Sequence, residues 1–318
     1  MRRFRLIPML LLVPGLATLA TVSGCGGGGN EQKASPDGGG KKAGGGAGKK
    51  PGVPTAAVDS TGWGTIKGKV TYEGTPPEVA DEKITKQEEV CKCKDAEKRG
   101  ATKDPTWKVG GGDHGVANVV VWVRAPDGKY FKIPDDQKER KDTVQLGQPF
   151  CAFEPHVMVL YPSYFDPATK KQQETGQKFE AINNATIPHN TDWNSGDALG
   201  GGGSNRLLQP RDTLPIPVEF SRPKAAGAEP IISFKCDIHG WMRAYARVFD
   251  HPFVGLTKGD KEAERAQSGQ YEIKEVPAGV DLDVYYWHES FGDTPKKCEK
   301  KINVKKGETF TLDLKVSK

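Results

Sequence analysis

The stretch "CDIHGWM", Cys236 to Met242, gathers a thiol, an imidazole and a thioether within seven positions. These are soft or borderline metal donors. A Cys thiolate and a His imidazole, joined by a second His in one plane and by a weak axial Met, make the trigonal copper site that handles single electrons. The set needs two elements to converge: one supplying the remote His, and a loop between two later strands supplying the rest. "IPHNTDWN" offers His189 at the end of an expected strand, 47 residues before Cys236. His189, Cys236, His239 and Met242 are therefore the candidate donors. Zinc is less apt, because Met is a poor zinc ligand. His156, in "CAFEPHVMVL", also follows a Pro and is the rival remote ligand, although no Asn follows it. The bland alternative puts Cys236 in a disulfide, Trp241 and Met242 in the core, and His239 at a strand cap.

The elements that must position these donors read as strands. "GTIKGKVTYEG" (Gly64–Gly74) alternates apolar and polar residues, as a half-buried strand does. "GVANVVVWVRAPDGKYFKI" (Gly115–Ile133) reads as a buried strand, a turn at Pro126-Asp127-Gly128 and a short return strand. Pro149–Leu160, Phe179–Asn190 and Thr213–Phe220 are three more. One strand runs up to Cys236, and another follows from about Arg243 to Phe249. The end of the chain, from Gly269, is expected to form two hairpins. Only Glu82–Lys98 and Asp260–Gln267 look helical. The expected class is all-β, a Greek-key β-sandwich.

Arg2, Arg3 and Arg5 followed by the apolar run from Leu6 to about Val22 read as a secretory signal over 1–24, too short and too interrupted by Pro8 and Pro14 to span a bilayer. Val22-Ser23-Gly24-Cys25 resembles the bacterial lipobox, which implies acylation of Cys25; an ordinary signal with a chance Cys is the alternative. Losing those three Arg lowers the net charge from +5 to +2, too mild and dispersed for a nucleic-acid partner. Residues 25–60 are rich in Gly and Lys with almost no large apolar side chain, and are expected to be a disordered tether reaching on the order of 30 Å. No second apolar run follows, so the remainder is expected to be soluble.

Export permits disulfides. With Cys25 acylated and Cys236 on a metal, Cys91, Cys93, Cys151 and Cys298 remain. Cys91 and Cys93 are too close to pair with each other, so each seeks Cys151 or Cys298. We expect Cys91–Cys151 with Cys93–Cys298, the rival being "CKC" as a metal-binding pair.

"Pro188-His189-Asn190" and "Cys236-x2-His239-x2-Met242" resemble the corresponding elements of cupredoxins of the plastocyanin and amicyanin type. The resemblance implies one copper ion cycling between Cu(I) and Cu(II), with His189, Cys236 and His239 as equatorial ligands and Met242 as the axial one. It also implies that Asn190 supports the site by tying its strand to the Cys loop, and that the His239 ring edge, among Pro188 and Trp241, is the exit for electrons. Gly240 departs from the Pro that many cupredoxins carry there. "GTIKGKV" with "GQYEIKEVPAG" and "YYWHE" resembles carboxypeptidase regulatory-like (prealbumin-like) sandwiches. The expected domains are thus 61–132 with 253–318 for the prealbumin-like strands and 133–252 for the cupredoxin-like part. His251 and His288 are expected to be structural.

Cupredoxin enzymes place a His beside the copper Cys to relay electrons, whereas here Lys235 and Asp237 flank Cys236. Neither a nucleophile elbow nor a His-Glu-x-x-His motif is present. The chain is expected not to be an enzyme but an exported, lipid-anchored electron carrier serving redox proteins not legible here. A surface scaffold or binding module with a vestigial copper loop, or a copper store without electron transfer, are the alternatives.

Overall fold

The computed structural model describes residues 54–195, 202–216 and 229–318. Cys25, the signal peptide expected over 1–24, most of the tether expected over 25–60, and 217–220 of the segment expected as a strand lie outside these residues. The described residues are built mainly of β-strands, and the class is all-β.

Gly62–Tyr72 pairs with Gln270–Ala278 on one side and, in parallel, with Thr309–Thr311 and Leu314–Val316 on the other. Val120–Arg124 pairs with Val254–Leu256 and Asp281–Trp287. Between these two sheets lies a core that includes Ile66, Val70, Val121, Val123, Ile273 and Val284. A second pair of sheets comes from the middle of the chain. One has the order Gly203–Leu208, His189–Asn194, Ile231–Lys235, Arg243–Val248, Val157–Leu160; the other the order Thr213–Pro215, Lys178–Ile182, Thr143–Gly147. Leu146, Met158, Leu160, Phe179, Phe234 and Ala246 fill that second core.

Alternation along single strands shows how these layers join, because successive side chains leave opposite faces. Val121 and Val123 enter the first core, while Val120 and Trp122 enter a third, where they meet Val157, Phe249 and Trp287. Val157 lies in this third core and its neighbours Met158 and Leu160 in the second. The strand carrying "VVVWV" is thus covered on both faces, which is why its apolar run does not alternate. Arg247 lies in the same junction, its guanidinium 4.7 Å from the centre of the Trp122 ring and 5.3 Å from that of Trp287. A cation over these rings keeps part of its electrostatic stabilisation without water.

Several expected elements are corrected. Gln270–Ala278 and Asp281–Trp287 do not form a hairpin; each joins a different sheet. Thr309–Thr311 and Leu314–Val316 likewise pair with Gly62–Tyr72 and not with each other. The expected strand Phe179–Asn190 is two strands, Lys178–Ile182 and His189–Asn194, so His189 opens a strand instead of closing one. Asn183 causes the break: its side-chain oxygen accepts the Ala185 N–H at 3.0 Å, and its amide donates to the carbonyls of Ile187 and Leu208. Of Pro149–Leu160 only Val157–Leu160 is strand. The expected helix Glu82–Lys98 is two short ones, Glu88–Cys91 and Lys94–Arg99.

His251 is buried among Phe131, Phe249 and Phe253, and its Nδ1 accepts the Phe253 N–H at 3.2 Å. Burial depresses its pKa from 6.5 to about 4. The folded state therefore holds the neutral ring while the unfolded chain takes up a proton first. Its contribution is intact above pH 6.5 and lost as pH falls to about 4, an added loss of about 3 kcal/mol. Urea unfolding at neutral pH and at the acid end of this window should show that loss in the wild type and a flatter dependence in His251→Leu. Equal slopes would refute it.

Candidate metal centre

Ile231–Lys235 and Arg243–Val248 are antiparallel neighbours, with Lys235 opposite Arg243. Cys236–Met242 is therefore the loop of a hairpin. The Cys236 N–H donates to the Met242 carbonyl at 3.3 Å and the Met242 N–H to the His239 carbonyl at 2.9 Å, closing the loop despite Gly240. His189–Asn194 pairs with the other side of Ile231–Lys235, Asp192 lying opposite Lys235. Continuing that register carries His189 alongside the loop.

The result is a convergence of three donors. Cys236 Sγ lies 3.9 Å from His189 Nδ1 and 3.7 Å from His239 Nδ1, with the two rings 4.5 Å apart between centroids. All three residues are buried, as is Met242 at the base of the same loop. Metal bonds of about 2.3 Å to sulfur and about 2.0 Å to nitrogen, opened to about 120°, would separate S and N by about 3.7 Å. The observed spacing fits one ion held by His189, Cys236 and His239.

The electrostatics suit a cation. Burial and the neighbouring His239 lower the His189 pKa to about 3, and burial with nearby Lys86 lowers that of His239, so both rings stay neutral. Burial also pushes the Cys236 thiol up. Without a cation the proton stays on sulfur; a metal would displace it.

Asn190 organises the loop. Its side-chain oxygen accepts the N–H groups of Asp237 at 2.8 Å and Ile238 at 3.2 Å, and lies 3.2 Å from Cys236 Sγ. Its amide donates to Asn205 at 2.7 Å and Asp237 at 3.2 Å.

The remaining histidines stand apart. His156, the rival ligand, turns Nδ1 to the Arg243 carbonyl at 3.0 Å and Nε2 to Glu289 at 2.5 Å, leaving no nitrogen for the centre. His288 contacts the Thr106 carbonyl and the Ser290 hydroxyl and stacks on Trp107. His114 sits in a turn at φ 55°.

Cys91 and Cys151 are joined in a disulfide. They also lie close to His239, but their bonded sulfurs offer no thiolate for a second metal set. The expected Cys93–Cys298 bond is absent: among the described residues both thiols are free. Cys91 turns into the second core, Cys93 occupies the position before the next short helix, and Cys298 packs against the first core. Burial raises the Cys298 thiol to about 11, so it remains protonated.

The His239 ring edge, the expected exit, is covered over. His239 has 0% exposure, because the segment bearing Gln87 and the Cys91–Cys151 disulfide covers its outer edge. Sequence offered one signal for this cover, the position of Gln87 four residues before Cys91, and only once that disulfide is known.

No protein-family model and no curated protein match the chain. Among solved structures it is similar to amicyanin from Paracoccus versutus, at 13% identity over 37% of this chain and 86% of that one, TM-score 0.24. It is similar to a purple cupredoxin from Nitrosopumilus maritimus at 13% identity over 33% and 99%, TM-score 0.22. It is also similar to a copper-containing nitrite reductase from Thermus scotoductus at 15% identity over 34% and 22%, TM-score 0.23.

Proposed function

We propose that the chain is a type 1 (blue) copper protein that carries single electrons outside the cytoplasm, anchored to a bacterial membrane through acylated Cys25. The observation supporting this reading is the pair of imidazole Nδ1 atoms, 3.9 and 3.7 Å from a buried Cys236 Sγ. Bound copper would supply a one-electron couple between Cu(I) and Cu(II). His189 and His239 would bind through Nδ1, Cys236 as a thiolate, and Met242 as a weak thioether donor. Paired strands fix His189 against Cys236, Asn190 holds the loop, and the core excludes water. This pre-set geometry leaves the donors little to rearrange when charge changes. Lys235 and Asp237 beside Cys236 favour a carrier over an enzyme, because neither can relay electrons to a second metal.

Copper storage is the second reading, favoured by the full burial of His239 under the Gln87 segment. Cu(II) added to the purified protein should give an intense blue or green thiolate band saturating at one equivalent. Reversible voltammetry of that species would support the carrier, and a strong band without a reversible wave would support storage. Pale, weak absorption would sink both and leave the scaffold.

A further inference from the structure

A neutral imidazole carries its proton on one nitrogen and leaves the other bare, and the partner of one nitrogen decides which. At His239, Nδ1 faces Cys236 Sγ at 3.7 Å while Nε2 lies 2.5 Å from Gln87 Oε1. An amide oxygen only accepts, so the proton belongs on Nε2 and Nδ1 is left with its lone pair toward the sulfur. His189 has no such arrangement: its Nε2 is buried without a partner among the described residues.

The backbone that carries Gln87 is held in place from several directions. Gln87 adopts a left-handed backbone, φ 47° and ψ 45°, and its carbonyl accepts the N–H groups of Val90 and Cys91, both at 3.0 Å. The helix Glu88–Cys91 that it opens is tied by the Cys91–Cys151 disulfide to the segment preceding Val157–Leu160. The Cys151 carbonyl accepts the Trp241 indole N–H at 3.0 Å, and Trp241 stands edge-on to His239 with centroids 5.1 Å apart. The ring thus meets Gln87 at its outer edge and Trp241 at its side, both anchored through the same disulfide.

We propose that Gln87 is a positioning residue for the metal centre: it holds the proton of His239 on Nε2, frees Nδ1 as a donor, and closes the ring's outer edge. That the freed nitrogen serves copper rests on the function proposed above; the tautomer does not. Partners of this kind, which orient a ligand through its second nitrogen, typically change metal affinity about 10–100-fold when removed.

The test uses the full-length chain with 15N-labelled histidine, ion-free, at a pH above the usual histidine range. Long-range 1H–15N correlation spectra should show His239 with Nε2 protonated and Nδ1 bare. Gln87→Leu should lose that single tautomer and bind Cu(II), measured by chelator competition, about 10–100-fold more weakly. Gln87→Glu keeps an acceptor and should restore both. An Nδ1-protonated ring in the wild type overturns the proposal, even if Gln87→Leu fails to fold. So does a folded Gln87→Leu with unchanged tautomer and affinity. A wild type with the expected tautomer but no thiolate band on adding Cu(II) sinks the copper reading alone.

Discussion

Cys236→Ser will abolish the intense Cu(II) band. The band requires a thiolate, and a serine hydroxyl neither ionises in this pH range nor offers sulfur orbitals. The substitution is close to isosteric, and Asn190 Oδ1, 3.2 Å from Sγ, can accept the new hydroxyl, so the buried polar group keeps a partner. The fold should survive, and far-UV circular dichroism checks that it does. His156→Ala should leave the band in place in the folded fraction, because both nitrogens of His156 are turned to Arg243 and Glu289. The same change should destabilise the chain by several kcal/mol, since it strips a partner from a carboxylate only 7% exposed. A band that survives Cys236→Ser and disappears in His156→Ala would overturn the ligand assignment.

The second large effect is on stability. Replacing both Cys91 and Cys151 with Ala releases a crosslink between positions 60 residues apart, which on loop-entropy grounds costs about 4 kcal/mol. For a domain of this size that lowers the melting temperature by roughly 10 °C. The loss should be accompanied by exposure of His239, read as faster modification of its ring by diethyl pyrocarbonate in the ion-free chain. Cys93→Ala with Cys298→Ala should change melting far less, because those thiols are free. A comparable loss from both pairs would restore the Cys93–Cys298 bond that the structure lacks.

These experiments bear on residues legible to different degrees. The donor types and the spacing of Cys236, His239 and Met242 are contiguous, so their chemistry can be read from one short string. The role of Asn190 is legible only through the resemblance of Pro188-His189-Asn190 to the cupredoxin element. The buried strand at Val119–Val123 is legible because a strand covered on both faces must be apolar at every position. Elimination leaves Cys91 and Cys93 each a choice of Cys151 or Cys298, so the Cys91–Cys151 bond is one of two pairings the sequence allows, and the separation of Cys93 from Cys298 depends on which core each one joins.

Strand partners were illegible for a related reason. Period-two alternation tells a strand that it has a buried face, but not which neighbour will pair with it. Gln270–Ala278 and Asp281–Trp287 look like a hairpin because they adjoin, yet each is claimed by a distant strand that completes a different sheet. The cover over His239 is the furthest case. Gln87 and His239 are 152 positions apart, and the place of Gln87 four residues before Cys91 marks it only once the Cys91–Cys151 bond is known. The sequence by itself determined which atoms could bind a metal, because donor chemistry belongs to side chains. Only the tertiary structure decided that two of the imidazoles face one sulfur and that a third segment seals them in, because those relations come from packing between distant strands and loops.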